Sequence, residues 1–124
     1  MTSSTNGPVE RAVVIIPTYN ERENIERFVK TVRHANPELA IIVVDDLSPD
    51  GTGQIVEELT KSDARLSIIH RSGKKGLGAA YLAGFDRALG RGFDNVLTMD
   101  ADFSHDPAVI SALISALKRP ADVA

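Results

Sequence analysis

The sequence contains no cysteine. That removes a disulfide framework, a thiolate metal site and a cysteine nucleophile together, and it agrees with a cytoplasmic setting. Basic charge is not in surplus either. Lys and Arg number 14 against 17 Asp and Glu, a net charge of -3, so the electrostatic footprint of a nucleic-acid binder is missing. No apolar run approaches the ~20 residues that a membrane span requires. The stretch Met1 to Glu10 is polar and lacks the apolar centre of a signal peptide, so residues 1–11 read as a loose, disordered tail. There is no internal repeat and no linker, and 124 residues suit one unit, here 12–124. At 43% hydrophobic and 25% charged residues, the composition is that of an ordinary globular domain with a real core.

What is present is an alternation. Val13-Val14-Ile15-Ile16, Ile41-Ile42-Val43-Val44, Leu66-Ser67-Ile68-Ile69 and Val96-Leu97-Thr98-Met99 are short apolar runs of the kind that form buried parallel strands. Between them lie helical stripes: Ile25, Phe28, Val29 and Val32; then Ile55, Val56 and Leu59; then Leu82, Phe85 and Leu89. A last stripe, Val109, Ile110, Leu113, Ile114 and Leu117, follows Asp106-Pro107, with proline at the first helical position. Ala121 to Ala124 looks like the opening of a fifth strand. The β-α-β-α order predicts a three-layer α/β/α fold with a mostly parallel sheet. Pro17 is expected to stop the first strand. Asn20 with Glu23 reads as a capping box for the first helix, and Ala79, Ala80, Ala83 and Gly84 should let the third helix pack closely.

The chemistry gathers where the strands end. In an open α/β sheet, ligands bind at the carboxyl ends of the strands. Asp100 and Asp102 fall there, on one side of an extended chain, and can lean onto one hard divalent cation that prefers oxygen ligands. Asp45, Asp46 and Glu21 join them if the strands are neighbours. So many carboxylates need a cation or strong donors. A nucleoside diphosphate with its metal supplies both, and Tyr19 offers a ring face and a hydroxyl to a base or sugar. Each residue also has a plainer role: Pro17 ends a strand, Glu21 caps a helix, Asp45 bonds the turn at Ser48. At least one of Asp45 and Asp46 is expected to be purely structural. Lys74 and Lys75 read as a solvated loop, and His34, His70 and His105 as isolated residues. Gly76-Leu77-Gly78 follows the third strand, whereas a dinucleotide fingerprint belongs after the first.

Four segments, IIPTYNERENI, IVVDDLSPDGT, KKGLGAAYLAGF and MDADFSHDP, run in order through most of the chain. With them the sequence resembles family 2 glycosyltransferases of the GT-A fold, and within that family the dolichol-phosphate (polyprenol-phosphate) mannose synthases. The resemblance implies a GDP-mannose site in which Pro17, Tyr19 and Glu21 hold the nucleotide, with Val44 and Asp46 near base and ribose. It makes Asp100, Ala101 and Asp102 the Asp-x-Asp site, with the two aspartates catalytic and binding Mg²⁺ or Mn²⁺ across the diphosphate. Ser104 stands where relatives often carry glutamine and would be a shorter metal ligand. The implied reaction inverts the sugar's anomeric carbon. A polyprenyl phosphate attacks and the nucleoside diphosphate leaves. The nucleophile is already ionised near neutral pH, so no general base is needed.

Relatives continue for roughly another half-domain, which carries the basic residues for the acceptor phosphate. The expectation is therefore a donor-binding part, incomplete for turnover, peripheral at the cytoplasmic membrane face through its lipid acceptor, and open to self-association at a sheet edge near Met99. A family 2 enzyme with another donor, such as UDP-glucose, shares the fold and the metal. A response-regulator receiver would use Asp45 and Asp46 for Mg²⁺ and Asp100 for the phosphoryl group, but a whole strand and helix precede Asp45. A phosphatase built on Asp102-Phe103-Ser104 would need that motif on its first strand.

Overall fold

The computed structural model describes residues 12–72 and 76–101. Within them the order is β1 (Ala12–Thr18), α1 (Ile25–Ala35), β2 (Ala40–Asp45), α2 (Thr52–Thr60), β3 (Leu66–His70), α3 (Leu77–Gly90) and β4 (Asn95–Thr98). The expected tail, the helix after Asp106 and the fifth strand lie outside the described residues.

The four strands form one parallel sheet in the order β3-β2-β1-β4. The chain first steps from β1 outward to β3, then returns past β1 to lay down β4. Right-handed crossovers put helices of opposite steps on opposite faces. Accordingly, α1 and α2 cover one face, where Val14, Ile16, Ile41 and Val43 meet Ile25, Phe28, Val29, Val32 and Val56. The other face, with Val13, Ile15, Ile42 and Val44, is covered by α3 through Ala80, Tyr81, Phe85 and Ala88. β1 and β2 are thus apolar on both sides, which is why they read as unbroken runs.

Three local expectations are corrected. β1 does not stop at Pro17 but runs on through Thr18. Ile15 O accepts from Met99 N on the β4 side, while Thr18 O accepts from Asp46 N on the β2 side. Pro17 shares the parity of Ile15, so its missing N–H faces past the end of β4 and costs no ladder bond. The Asn20–Glu23 capping box does not form. Asn20 takes a left-handed φ of 58°, Glu21 O accepts from Asn24 N and Ile25 N, and α1 begins only after Asn24. Finally, Leu82 and Leu89 do not face inward, each being 68% exposed. The inward stripe of α3 is made of Ala80, Gly84 and Ala88, because the helix lies too close to β1 for leucine. A Cβ built on Gly84 would sit 2.6 Å from Ile15 Cγ2.

Candidate functional site

The direction of the chain reverses between β1 and β4, and this switch point is where open α/β sheets bind ligands. Asp46 follows β2 and Asp100 follows β4, so the two flank the tip of β1. Two strand spacings separate those neighbours, about 10 Å at the backbone, a distance that one nucleotide can span. Pro17 pairs with Val44 in the ladder. Asp100 stands two residues beyond Thr98, the partner of Ile15, and so reaches the same level as Pro17.

Side-chain parity sorts the acids. Successive residues of a strand point to opposite faces. Asp45 continues the Ile41–Val43 set, on the α1/α2 face, and is wholly engaged there. Its Oδ1 accepts from Thr18 Oγ1 at 2.7 Å and Ser48 Oγ at 2.6 Å, and its Oδ2 from Ser48 N at 3.0 Å. It is the turn-holding aspartate. Ser48 Oγ in turn accepts from Asn20 N at 2.9 Å, and Thr52 Oγ1 from Glu21 N at 2.9 Å, which ties the β1 loop to the β2 loop. Asp50 anchors the same turn through Thr52 N and Arg22 N, both at 3.0 Å. Burial alone would raise its pKa, but these bonds, that from the Thr52 hydroxyl and the charge of Arg22 outweigh it and hold the carboxyl below its usual 3.8.

Asp46 continues the Ile42–Val44 set and faces the α3 side. There it meets Arg71, whose Nε lies 3.1 Å from Asp46 Oδ1, with both side chains about nine-tenths buried. The approach is too bent for a hydrogen bond. Asp46 Oδ1 and Arg71 Nη1 are buried without a hydrogen-bond partner among the described residues. The pair therefore presents one acceptor and one donor at the tips of β2 and β3. Arg71 is not among the site residues that the sequence pointed to. Its parity with Ile69, another α3-face residue, was the available signal.

Asp100 lies on that same face. Met99 and Ala101 on either side of it pack into the α1/α2 core, so the aspartate between them projects the other way. Tyr81 of α3 meets it there, its hydroxyl 3.4 Å from Oδ1. Burial first, then the charge of Asp100 and the bond to it, raise the Tyr81 pKa above 10.0, so the phenol stays protonated near neutrality. Tyr19 is 38% exposed at the tip of β1. The α3 face of the sheet's carboxyl edge thus carries Pro17, Val44, Asp46, Arg71 and Asp100 side by side. Asp102, Ser104, Lys74 and Lys75 lie outside the described residues. Among the described residues no three His, Asp or Glu side chains gather as a metal cluster, and Asp46 and Asp100 are carboxylates that flank the tip of β1.

This is a doubly wound α/β sheet with an acid-lined switch point. The chain belongs to glycosyl transferase family 2, which it matches over residues 13–124. It is 52% identical over 122 residues to a polyprenol monophosphomannose synthase of Mycolicibacterium smegmatis, covering 98% of this chain and 46% of that protein. It is 45% identical to an undecaprenyl-phosphate mannosyltransferase of Micrococcus luteus over 87% of this chain and 44% of the other. A dolichol-phosphate mannosyltransferase of Pyrococcus furiosus is also 45% identical, over 90% of this chain and 31% of the other. The chain spans less than half the length of these curated relatives. In fold it is similar to the mannosyltransferase PcManGT of Pyrobaculum calidifontis, solved with GDP-Man and Mn²⁺, at a TM-score of 0.67 and 24% identity over 84% of this chain and 31% of that one. Staphylococcus aureus TarS, solved with UDP-GlcNAc, aligns at a TM-score of 0.64 and 25% identity over the same 84% of this chain and 30% of its own. The parallel three-layer α/β/α architecture expected from the sequence is the one observed. No helix among the described residues is long and apolar enough to cross a membrane.

Proposed function

We propose that the chain is the donor-binding part of a polyprenyl-phosphate mannosyltransferase. It would bind GDP-mannose at the β1/β4 switch point, and the sugar would pass, with inversion, to a polyprenyl phosphate at a membrane surface. The observation that carries this is the sharing of one face by Asp46, Arg71 and Asp100 on both sides of β1, in a chain whose relatives bear polyprenyl-phosphate mannosyltransferase names.

Pro17, Tyr19, Glu21 and Val44 would form the wall of the nucleotide site. The buried edge of Asp46 and Arg71 offers an acceptor and a donor to base or ribose, and loops tied by Asp45, Ser48 and Thr52 hold that wall in place. Asp100, Ala101, Asp102 and Ser104 would face the diphosphate. Asp100 fits a hard divalent ion, Mg²⁺ or Mn²⁺, because its carboxylate is an oxygen donor at a strand tip. When bound, such an ion offsets charge on the departing diphosphate. The protein's own task is to keep donor and acceptor phosphate in line and to exclude water. An ionised phosphate needs no proton removed, so no residue is assigned as a general base.

Titration calorimetry of GDP, UDP and ADP, with and without Mn²⁺, tests the reading. GDP should bind best, and the metal-dependent share should vanish in Asp102→Ala. Preference for UDP would shift the assignment to another family 2 donor. Labelling of Asp100 by a small acyl phosphate, without nucleotide binding, would overturn it in favour of a receiver domain.

A further inference from the structure

The approach of α3 to the tip of β4 has no counterpart among the roles given so far. Ala80, Gly84 and Ala88 seat α3 against the sheet. The seat is Ile15, whose ladder partner is Thr98 and whose carbonyl accepts from Met99 N. Close packing at Gly84 therefore brings the residue one turn earlier, Tyr81, over the end of β4. Its ring is stacked on Phe85 at 6.4 Å between centroids and 21° between planes. The hydroxyl donates to Asp100 Oδ1 at 3.4 Å.

We propose that Tyr81 is the positioning residue for Asp100: its hydroxyl engages Oδ1, sets the rotation of the carboxylate and leaves Oδ2 for a cation. The proposal rests on the reading of Asp100 as a metal and diphosphate residue. A carboxylate at a strand tip turns freely about its last torsion, and a ligand that must first be oriented binds more weakly. Outer hydrogen-bond partners of metal-binding carboxylates are worth about 10- to 100-fold in metal affinity. The long 3.4 Å contact puts Tyr81 at the low end.

The test uses the full 124-residue chain saturated with GDP. Mn²⁺ affinity by titration calorimetry and a thermal melt are measured for the parent, Tyr81→Phe, Phe85→Leu and Asp100→Asn. Tyr81→Phe should weaken Mn²⁺ about tenfold while the melt moves by no more than about 2 °C. Phe85→Leu should lower the melt yet leave Mn²⁺ affinity within about twofold, since it alters packing without touching the hydroxyl. Unchanged Mn²⁺ affinity in Tyr81→Phe, beside its loss in Asp100→Asn, would overturn the role of Tyr81 and leave the site reading standing. Equal weakening in Tyr81→Phe and Phe85→Leu would reduce the effect to helix packing and overturn it too. Undiminished Mn²⁺ binding in Asp100→Asn would instead remove the site reading itself.

Discussion

Replacing Gly84 by alanine adds one methyl group at the tightest contact between α3 and the sheet. The new Cβ would lie 2.6 Å from Ile15 Cγ2, 2.9 Å from Cδ1 and 3.1 Å from Cγ1. Ordinary carbon contacts begin near 3.5 Å, so either α3 lifts by roughly 1 Å or Ile15 leaves its rotamer. Ile15 is wholly buried on the central strand, and its neighbours leave it nowhere to turn. Overpacking of this kind costs about 1–3 kcal/mol, and a 2.6 Å approach to a fully buried side chain belongs in the upper half, about 2–3 kcal/mol. Alanine returns up to about 1 kcal/mol of helix propensity, leaving a net loss near 1–2 kcal/mol. For a domain of this size that lowers the melting temperature by roughly 4–10 °C. Thermal and urea melts measure it. Ile15→Val in the same background should recover only part, because it deletes Cδ1 but keeps a methyl at the nearest contact. An unchanged or raised melting temperature for Gly84→Ala would refute the close approach of α3 to β1. It would also undercut the route by which Tyr81 reaches Asp100.

Three further outcomes follow from other contacts. Arg71→Met strands Asp46 in a site that is about nine-tenths buried; stability should fall by about 2–4 kcal/mol in urea melts, and Asp46→Asn in the same chain should restore part of it. Asp45→Ala removes the acceptor of Thr18 and both bonds from Ser48, with an expected cost of about 2–3 kcal/mol and a loosened β2 loop, seen as faster amide exchange at Ser48. Asp50 has a folded pKa held below 3.8, so its contribution is complete above that value and disappears as pH falls through the lower folded one. Asp50→Asn should therefore flatten the acid limb of the stability curve below about pH 4 and lower stability at pH 7.

Much of this protein was legible in one dimension. Four apolar runs separated by amphipathic stripes are enough to demand a parallel sheet between helices, since strands apolar on both sides must be covered twice. The position of the acids after those runs marked the candidate site edge, because strand ends are where an open sheet leaves backbone and side chains free to meet a ligand. The motif segments marked the family. Periodicity could not say which face of α3 turns inward. A stripe through Leu82 and Leu89 and one through Ala80, Gly84 and Ala88 are both helical, and Ile15 leaves room only for the smaller set, with Phe85 packing beside it. Nor could adjacency in sequence separate Asp45 from Asp46. Their division of labour is a matter of parity relative to faces that exist only once α1, α2 and α3 have taken their sides. Arg71 and Tyr81 lie far along the chain from the carboxylates they meet. A contact between distant residues is set by register and helix approach, which are properties of the folded sheet; the parity of Arg71 with Ile69 assigns it a face but names no partner.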